Sequence, residues 1–358
     1  MKTRKKIFFI LPTLFAGGAE RVISFVSQNI NKDKFDVKLI VIGYEKDSKF
    51  EIIGIPVVFL NKDRVLNAVI PIIRLLRKDK PSIVVSSISH LNSMMGLISI
   101  LFKEIKFIGR HATINKVAKN YRTPRKRSLI NNFNEINNYG TKKLDSIICQ
   151  STDMKKDFLE SYNYNSNNIK IIHNPITQNK IIKSKNKESE IKKYITVGRL
   201  SKIKGQLRLL EILSKLTFPF QFTIIGDGSY KNIIFNKIEE LGLRDKIVHI
   251  EYTNNVYNHL IEHDMFLQGS YSEGFPNALL ESCSVGVPVI AFNVPGGTKE
   301  IVTNNKNGFL VDTEIEFLEK LNEEKQWDSK LISDYVYKKF NKQKILNDYE
   351  QLFIDILK

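Results

Sequence analysis

Two series of short apolar segments, separated by longer amphipathic ones, constrain the fold of this 358-residue chain more than any other feature. The apolar segments are continuous rather than alternating, which is typical of parallel strands covered by helices on both faces. Two such series predict two doubly wound α/β domains. The expected strands are 7–11, 37–43, 56–60, 83–87, 106–110, 146–150 and 169–174 in the first series, and 194–198, 222–226, 247–251, 265–269 and 287–292 in the second.

The amphipathic segments predict the helices that connect these strands. They cover residues 19–30, 66–79, 91–102, 125–143, 153–161, 205–216, 230–242, 276–285, 315–325 and 342–357. The polar segment 178–193 shows no periodicity and precedes a new strand, so it is interpreted as a linker between domains 1–177 and 194–341. The pattern leaves open whether the last helix, within 342–358, packs back on the first domain.

Charge is divided unequally along the chain. Residues 1–180 contain 31 Lys and Arg against 14 Asp and Glu, whereas residues 181–358 contain 24 of each. The whole net charge of +17 therefore lies in the first half, which favours an anionic partner such as a membrane leaflet, a polyphosphate or a nucleic acid. Tyr121, Arg122, Arg125, Lys126 and Arg127 form a dense basic cluster, and 91–102 is apolar enough for either a buried helix or membrane contact.

Cellular location is addressed by the cysteines and by the first twenty residues. Cys149 and Cys283 lie in apolar segments, so a reducing compartment is expected, with no disulfide scaffold. The N-terminus resembles a signal peptide, but Pro12 interrupts its apolar run and the following segment is amphipathic, so a strand, a loop and a helix are favoured. No segment reaches the ~18 apolar residues of a membrane span.

Loops after three of the predicted strands carry glycines or cations. Gly17 and Gly18 follow the first strand, where glycine lets the backbone approach an anion at a helix N-terminus, although a tight turn would need it too. Arg199 and Lys204 follow the first strand of the second series, where two cations can neutralise a diphosphate leaving group. A third loop is a glycine turn that suits contact with a base or a ribose: Gly226, Asp227 and Gly228.

The strongest motif is GSYSEGFPNALLESCSVGVPVIAF, residues 269–292. Glu273 precedes a helix whose first turn is expected to contain Pro276, and Glu281 lies within that helix. The two carboxylates can accept hydrogen bonds from a sugar diol and a ribose diol. The backbone N–H groups expected to face the phosphates are those of Phe275, Asn277 and Ala278. The loop at Gly296 and Gly297 would line the same cleft.

These motifs together resemble glycosyltransferase family 4, the group 1 retaining enzymes of the GT-B fold, over about residues 195–312, with a shorter match at GGAER. The resemblance implies two Rossmann-like domains facing a cleft. It also implies that Arg199 and Lys204 bind the donor diphosphate, that Glu273 binds the donor sugar and that Glu281 binds the ribose. Gly17 and Gly18 would let the first domain close over the donor phosphate.

A histidine or polar residue at the end of a strand in the first domain contacts the transferred sugar in many members of this family. Here the resemblance points to His111 or Arg110, and the choice between them stays open. The absence of any Asp-x-Asp triplet predicts that no metal is essential, and no cofactor beyond the nucleotide-sugar co-substrate is expected.

The function implied by the resemblance is hexosyl or other glycosyl transfer from a nucleotide-sugar to a lipid-linked saccharide. The expected donor is a UDP-sugar. The expected pathway is bacterial surface polysaccharide assembly, such as O antigen or capsule, with the enzyme peripheral on the inner face of the plasma membrane. Two alternatives remain at this point. One is another GT-B enzyme such as a sugar-nucleotide epimerase. The other is a nucleic-acid-binding protein, for which no motif was found.

Overall fold

The computed structural model describes residues 4–15, 17–49, 51–120, 127–177, 181–184 and 190–358. The chain forms two compact units. Unit 1 extends to Pro175 and also contains Lys342–Lys358, whereas unit 2 is built mainly from Ile176–Asn341. Most of the basic cluster 121–127 and parts of the proposed linker 178–193 lie outside the described residues.

Unit 1 contains a seven-stranded sheet in the order β3-β2-β1-β4-β5-β6-β7, and its paired strands are all parallel. Continuous apolar segments form the central strands, and Ile7 to Leu11 are completely buried. The strands are β1 (Lys5–Leu11), β2 (Phe35–Val41), β3 (Val57–Phe59), β4 (Ile83–Ser87), β5 (Lys106–Arg110), β6 (Ser146–Cys149) and β7 (Ile169–Ile171). The connecting helices are α1 (Gly18–Asn29), α2 (Val69–Asp79), α3 (Ser89–Ser99), α4 (Asn115–Asn120), α5 (Arg127–Lys142) and α6 (Thr152–Tyr162).

The C-terminal helix α14 (Lys342–Asp355) belongs to unit 1. Its apolar face joins the core on one side of the sheet, where the Phe353 ring lies 6.1 Å from that of Phe9 and 5.9 Å from that of Phe35, between centroids. Glu350 on the same helix accepts a hydrogen bond from the Asn31 N–H at 2.9 Å and pairs with Lys34. The last helix therefore completes the core of the first unit.

Unit 2 contains a six-stranded parallel sheet in the order β10-β9-β8-β11-β12-β13. Its strands are β8 (Lys192–Val197), β9 (Phe220–Ile225), β10 (Ile247–Ile250), β11 (Met265–Gln268), β12 (Val289–Phe292) and β13 (Gly308–Val311). Its helices are α7 (Gln206–Leu213), α8 (Lys231–Glu240), α9 (Val256–Ile261), α10 (Asn277–Ser284), α11 (Thr298–Ile301), α12 (Glu314–Asn322) and α13 (Ser329–Phe340). The sheets confirm the predicted class of two doubly wound α/β units.

The structure adds elements to the predicted set and changes a few boundaries. Strand β13 and helices α4, α9 and α13 were not predicted. The single helix predicted at 66–79 is a 3₁₀ turn, Val65–Ala68, followed by α2. The apolar segment 91–102 forms most of α3. Seven residues of this helix are buried, so the interpretation as a core helix holds for its buried face. Across the described residues, no helix combines the length and apolar character needed to cross a bilayer.

Candidate active site

The sheet of unit 2 creates a crevice where its strand order reverses. From β8 the chain adds β9 and β10 on one side, and from β11 it adds β12 and β13 on the other. Loops that leave the carboxyl ends of β8 and β11 therefore diverge, which is where doubly wound sheets bind ligands. The loop after β8 carries Arg199 and Lys204, and the loop after β11 carries Glu273.

The structure joins these loops through Lys204 and Glu273. The Lys204 ammonium donates hydrogen bonds to both carboxylate oxygens of Glu273, at 2.7 and 2.9 Å. Ser270 donates from its hydroxyl to Glu273 Oε1 at 2.5 Å. Glu273 is 8% exposed, so its charge is held by partners rather than by solvent. A cation and a carboxylate, separated by 69 positions in sequence, thus meet at the reversal point.

A cavity that is partly open to solvent lies at the same strand ends. Five residues of the predicted donor site line it: Lys204, Glu273, Pro276, Asn277 and Ala278. Gly198 lines it as well, together with the polar side chains of Gln206 and Gln268. Ammonium, carboxylate and amide groups around one cavity can bind a ligand that carries both negative charge and hydroxyl groups.

Helix α10 points its N-terminus towards this cavity. Pro276 precedes the helix, with φ −77° and ψ 94°, rather than lying in its first turn as predicted, and Asn277 begins it. The Phe275 ring is buried in the core of unit 2, 5.5 Å from the ring of Phe340 between centroids. The role predicted for Phe275 concerned its backbone N–H, and its side chain anchors the loop. The residues after it are therefore held at a helix end that favours anions.

The turn Gly226-Asp227-Gly228 packs directly on the loop after β8. The Leu200 N–H donates to the Asp227 carbonyl at 2.9 Å. Gly226 has φ 143°, and a Cβ there would lie 2.0 Å from the Gly198 carbonyl oxygen. These glycines are therefore required by close backbone packing, whatever ligand they also contact.

Six other predicted donor residues of unit 2 lie outside the cavity lining, among them Arg199, Asp227 and Glu281. Arg199 has an exposed side chain, and its carbonyl accepts from Gln206 Nε2 at 3.1 Å. Glu281 is 5% exposed within α10, four residues after Asn277 begins that helix. Within the described part of the chain, the lining does not include Arg199, Asp227 or Glu281. Lys204 and Glu273 thus form the centre of the site, with Arg199 and Glu281 on its loop and helix.

The loop at Gly296 and Gly297 lies beside Glu273. Gly297 donates from its N–H to the Gly274 carbonyl at 3.1 Å, and Glu273 donates to the Pro295 carbonyl at 3.1 Å. At the base of this loop, Gln268 Nε2 donates to the Thr298 hydroxyl at 3.2 Å. The loop after β11 and the Gly296–Gly297 loop are therefore packed against one another, although the cavity lining includes neither glycine.

In unit 1, the predicted glycines lie at the carboxyl end of β1. Gly17 occupies the N-cap position of α1, and Gly18 is the first residue of that helix. A Cβ on Gly17 would lie 2.1 Å from a carboxylate oxygen of Glu20. This is the strand–loop–helix junction expected from the sequence.

Arg110 and His111, at the end of β5, are both 1% exposed. Arg110 donates from Nη2 to Asn174 Oδ1 at 2.6 Å. The His111 ring packs edge-on against Phe158, 5.0 Å away, and burial lowers its pKa to about 4. Among the described residues, His111 Nε2 has no hydrogen-bond partner. In this structure both side chains therefore lie inside unit 1, away from solvent.

Sequence reasoning missed two polar residues of the site. Ser270 bonds Glu273, and Gln206 spans from the Arg199 carbonyl to the cavity. Uncharged polar residues give no distinctive pattern, although Ser270 lies just after the end of β11 and Gln206 begins the helix that follows the loop after β8.

Both halves of the chain match protein-family models. The model described as glycosyl transferases group 1 matches residues 177–326, and the model described as glycosyltransferase family 4 matches residues 16–180. Structural comparison agrees on the fold. The lipopolysaccharide outer core galactosyltransferase WaaB has a TM-score of 0.78 at 19% identity, covering 98% of this chain and 99% of WaaB. Anabaena HepE, solved with UDP, has the same TM-score at 17% identity, covering 98% and 100%.

Curated relatives span most of the chain at low identity. An uncharacterized glycosyltransferase of Haemophilus influenzae is 28% identical, covering 86% of each chain. The N-acetylgalactosamine-N,N'-diacetylbacillosaminyl-diphospho-undecaprenol 4-alpha-N-acetylgalactosaminyltransferase of Campylobacter jejuni is 26% identical over 87% of each. The UDP-Gal:alpha-D-GlcNAc-diphosphoundecaprenol alpha-1,3-galactosyltransferase of Escherichia coli is 24% identical over 97% of this chain and 96% of its own. With its two α/β units and matched family models, this chain belongs to the group 1, family 4 glycosyltransferases of the GT-B fold.

Proposed function

We propose that this glycosyltransferase transfers a sugar, with retention of anomeric configuration, from a UDP-sugar to a lipid-linked saccharide in bacterial surface polysaccharide assembly. The observation that carries the proposal is the Lys204–Glu273 pair in the cavity at the reversal point of the unit 2 sheet. Lys204 supplies positive charge for the donor diphosphate, and Glu273 accepts hydrogen bonds from the donor sugar. Arg199 adds a second cation, and Glu281 and the Gly226–Gly228 turn hold the nucleoside.

Donor binding replaces the contact that these two residues make with each other. The ammonium of Lys204 turns towards the diphosphate, where negative charge grows as the glycosidic bond breaks. The carboxylate of Glu273 keeps its bond from Ser270 and exchanges Lys204 for sugar hydroxyls. Each group thus has a partner before and after binding, which avoids leaving a buried charge unpaired.

A thermal-shift panel tests the donor class. UDP-, GDP- and ADP-sugars are added separately to the protein, because a ligand that binds only the folded state raises the melting temperature by mass action. UDP-sugars are expected to give the largest rise. A larger rise with GDP- or ADP-sugars would reject UDP as the carrier.

A lipid-linked acceptor places the enzyme at a membrane, and we propose peripheral contact on the cytoplasmic face. The names of the Campylobacter jejuni and Escherichia coli relatives specify diphospho-undecaprenol acceptors. On unit 1, Leu66 and Ile70 are 68% and 62% exposed, one helical turn apart. Arg64, Arg74 and Arg77 flank them, and no acidic residue occurs from 64 to 78. Exposed apolar side chains among arginines suit an anionic lipid surface.

Vesicle sedimentation tests this contact. The full chain is expected to pellet with vesicles rich in phosphatidylglycerol, to pellet much less with phosphatidylcholine alone, and to be released at about 0.5 M salt. Leu66→Ser with Ile70→Ser should weaken pelleting, whereas Ile315→Ser, at a 72% exposed residue of unit 2, should not. Binding that ignores both lipid charge and salt would reject the proposal.

A further inference from the structure

Arg208, on helix α7, is held between two aromatic rings. Its Cζ lies 4.2 Å from the ring centroid of Tyr271 and 3.5 Å from that of Phe292. From this position Nε donates to the Gly269 carbonyl, and Nη2 donates to the Ser270 carbonyl. One planar guanidinium therefore fixes two successive carbonyls of the loop that follows β11, a forked contact that a lysine cannot reproduce.

The same loop is also fastened to the segment that precedes Arg208. The Tyr271 N–H donates to the Ile203 carbonyl at 2.8 Å. Gly205 has φ 63°, and a Cβ there would lie 1.9 Å from the Gly269 carbonyl oxygen, so the two backbones touch. Arg208 therefore bonds the loop after β11 at the point where it crosses the loop after β8.

Arg208 is connected to Glu273 through one intermediate residue. Ser270, whose carbonyl Arg208 holds, donates from its hydroxyl to Glu273 Oε1 at 2.5 Å. Lys204 meets the same carboxylate from the opposite loop. Because Arg208 holds the Ser270 carbonyl and the Ser270 hydroxyl bonds Glu273, a change at Arg208 reaches the carboxylate through the position of Ser270.

We infer that Arg208 is a positioning residue, which sets the loop geometry that lets Glu273 bind the sugar of the nucleotide-sugar donor. The inference rests on the proposed function. It assigns Arg208 to recognition of the sugar and not of the nucleotide, because the carbonyls it holds belong to the loop that ends at Glu273.

A double-mutant cycle between Arg208 and Glu273 tests the inference. Arg208→Met keeps an unbranched apolar chain between the two rings, Arg208→Lys keeps the charge without the fork, and Glu273→Gln removes the carboxylate charge. Arg244→Met is the matched control, because Arg244 is an exposed arginine of unit 2 paired with Glu239. Calorimetry measures the Kd of UDP. A coupled assay measures the rate of UDP release from the donor that the wild-type protein turns over fastest among UDP-glucose, UDP-galactose and the two UDP-N-acetylhexosamines.

The inference predicts a loss that depends on the sugar. Arg208→Met should slow UDP release roughly tenfold or more, the scale of one hydrogen bond to a charged group, while the Kd of UDP changes by less than about twofold. Arg208→Lys should recover part of the rate. Adding Arg208→Met to Glu273→Gln should cause no further loss, because Arg208 acts through Glu273.

Three results would overturn the inference. Losses that multiply in the double variant would show that Arg208 acts independently of Glu273. Equal weakening of UDP binding would show general damage to the site. A wild-type rate in Glu273→Gln would reject the donor-site assignment together with the inference, whereas the first two results reject the inference alone. Melting temperatures show whether Arg208→Met is folded. If it is not, the same two measurements on Arg208→Lys test the inference instead.

Discussion

At the scale of single residues, Glu273 is a charged group in an environment that solvent hardly reaches. It is almost completely buried, yet an ammonium and a hydroxyl hold its carboxylate. Lys204 is 31% exposed, so water can solvate it when its partner is removed. The pair can therefore be altered at the carboxylate without leaving a deeply buried cation.

Glu273→Ala and Glu281→Ala should each lower turnover by at least roughly tenfold, since a lost hydrogen bond to a charged group costs about 1.5–3 kcal/mol. Steady-state rates measured with the preferred UDP-sugar check this. Glu251→Ala, which removes an exposed partner of Lys231, is the control and should keep wild-type turnover. Wild-type rates in both site variants would mean that the donor binds elsewhere.

His111 predicts a pH dependence of stability. Burial lowers its pKa to about 4 from an ordinary 6.5, so between these values the unfolded chain binds a proton that the folded chain does not. Stability is therefore complete above about pH 6.5 and falls as the pH approaches 4, by up to about 3 kcal/mol from this residue.

Urea unfolding of His111→Phe at a series of pH values checks this expectation. The variant should lose less stability than the wild type between pH 7 and 4.5. Some slope should remain, because burial also lowers the pKa of His90 and His263. Identical slopes in the two proteins would contradict the assignment.

At the scale of elements, the sequence predicts strands better than it predicts which strands are neighbours. Continuous apolar segments indicated twelve of the strands, because buried parallel strands carry apolar residues on both faces. Strand β13 was not indicated because it begins at Gly308, a residue type depleted in strands, which leaves only three apolar residues in its segment. Helix α13 has its buried apolar residues at Ile332, Val336 and Phe340, an i, i+4, i+8 pattern that its charged residues obscured.

The site itself could be predicted only in part. The motifs named Lys204 and Glu273 separately, but their ion pair depends on β8 and β11 being adjacent, and that strand order is not encoded locally. Ser270 was missed because an uncharged residue gives no distinctive pattern, and Arg208 was missed because it bonds the loop after β11 from helix α7, 62 positions away in sequence.

The C-terminal helix yields a prediction at this scale. Phe353→Ala on α14 should destabilise unit 1 by about 3–5 kcal/mol, because it removes a completely buried ring that touches Phe9 and Phe35. Ile354→Ala, at a neighbouring residue that is 37% exposed, should cost far less. The free energy of unfolding in urea compares them, and equal values would show that α14 does not complete the core.

At the scale of the whole molecule, the two units differ in charge as well as in the motifs they carry. The net charge of +17 comes from residues 1–180, whereas the proposed donor cavity lies in unit 2. This division suits an enzyme that takes a soluble donor in one unit and an anionic, lipid-linked acceptor in the other.

Positive charge for the leaving diphosphate is proposed to come from Lys204 and Arg199. Transfer should therefore continue in excess EDTA, at a rate within about twofold of that with added magnesium. Product formation measured with and without EDTA checks this. Complete loss of activity that magnesium or manganese restores would refute the proposal that no metal is essential.

The most direct test of the central claim, that the Lys204–Glu273 cavity is the donor site, is transfer by the Lys204→Ala variant. Radiolabelled sugar is followed from the preferred UDP-sugar into an undecaprenyl-diphosphate-linked saccharide, and the Kd of uridine is measured in parallel. The claim predicts a loss of about 10²–10³ in turnover with little change in uridine binding, because the cation acts where leaving-group charge develops. Turnover equal to that of the wild type, or a loss matched by weaker uridine binding, would contradict it.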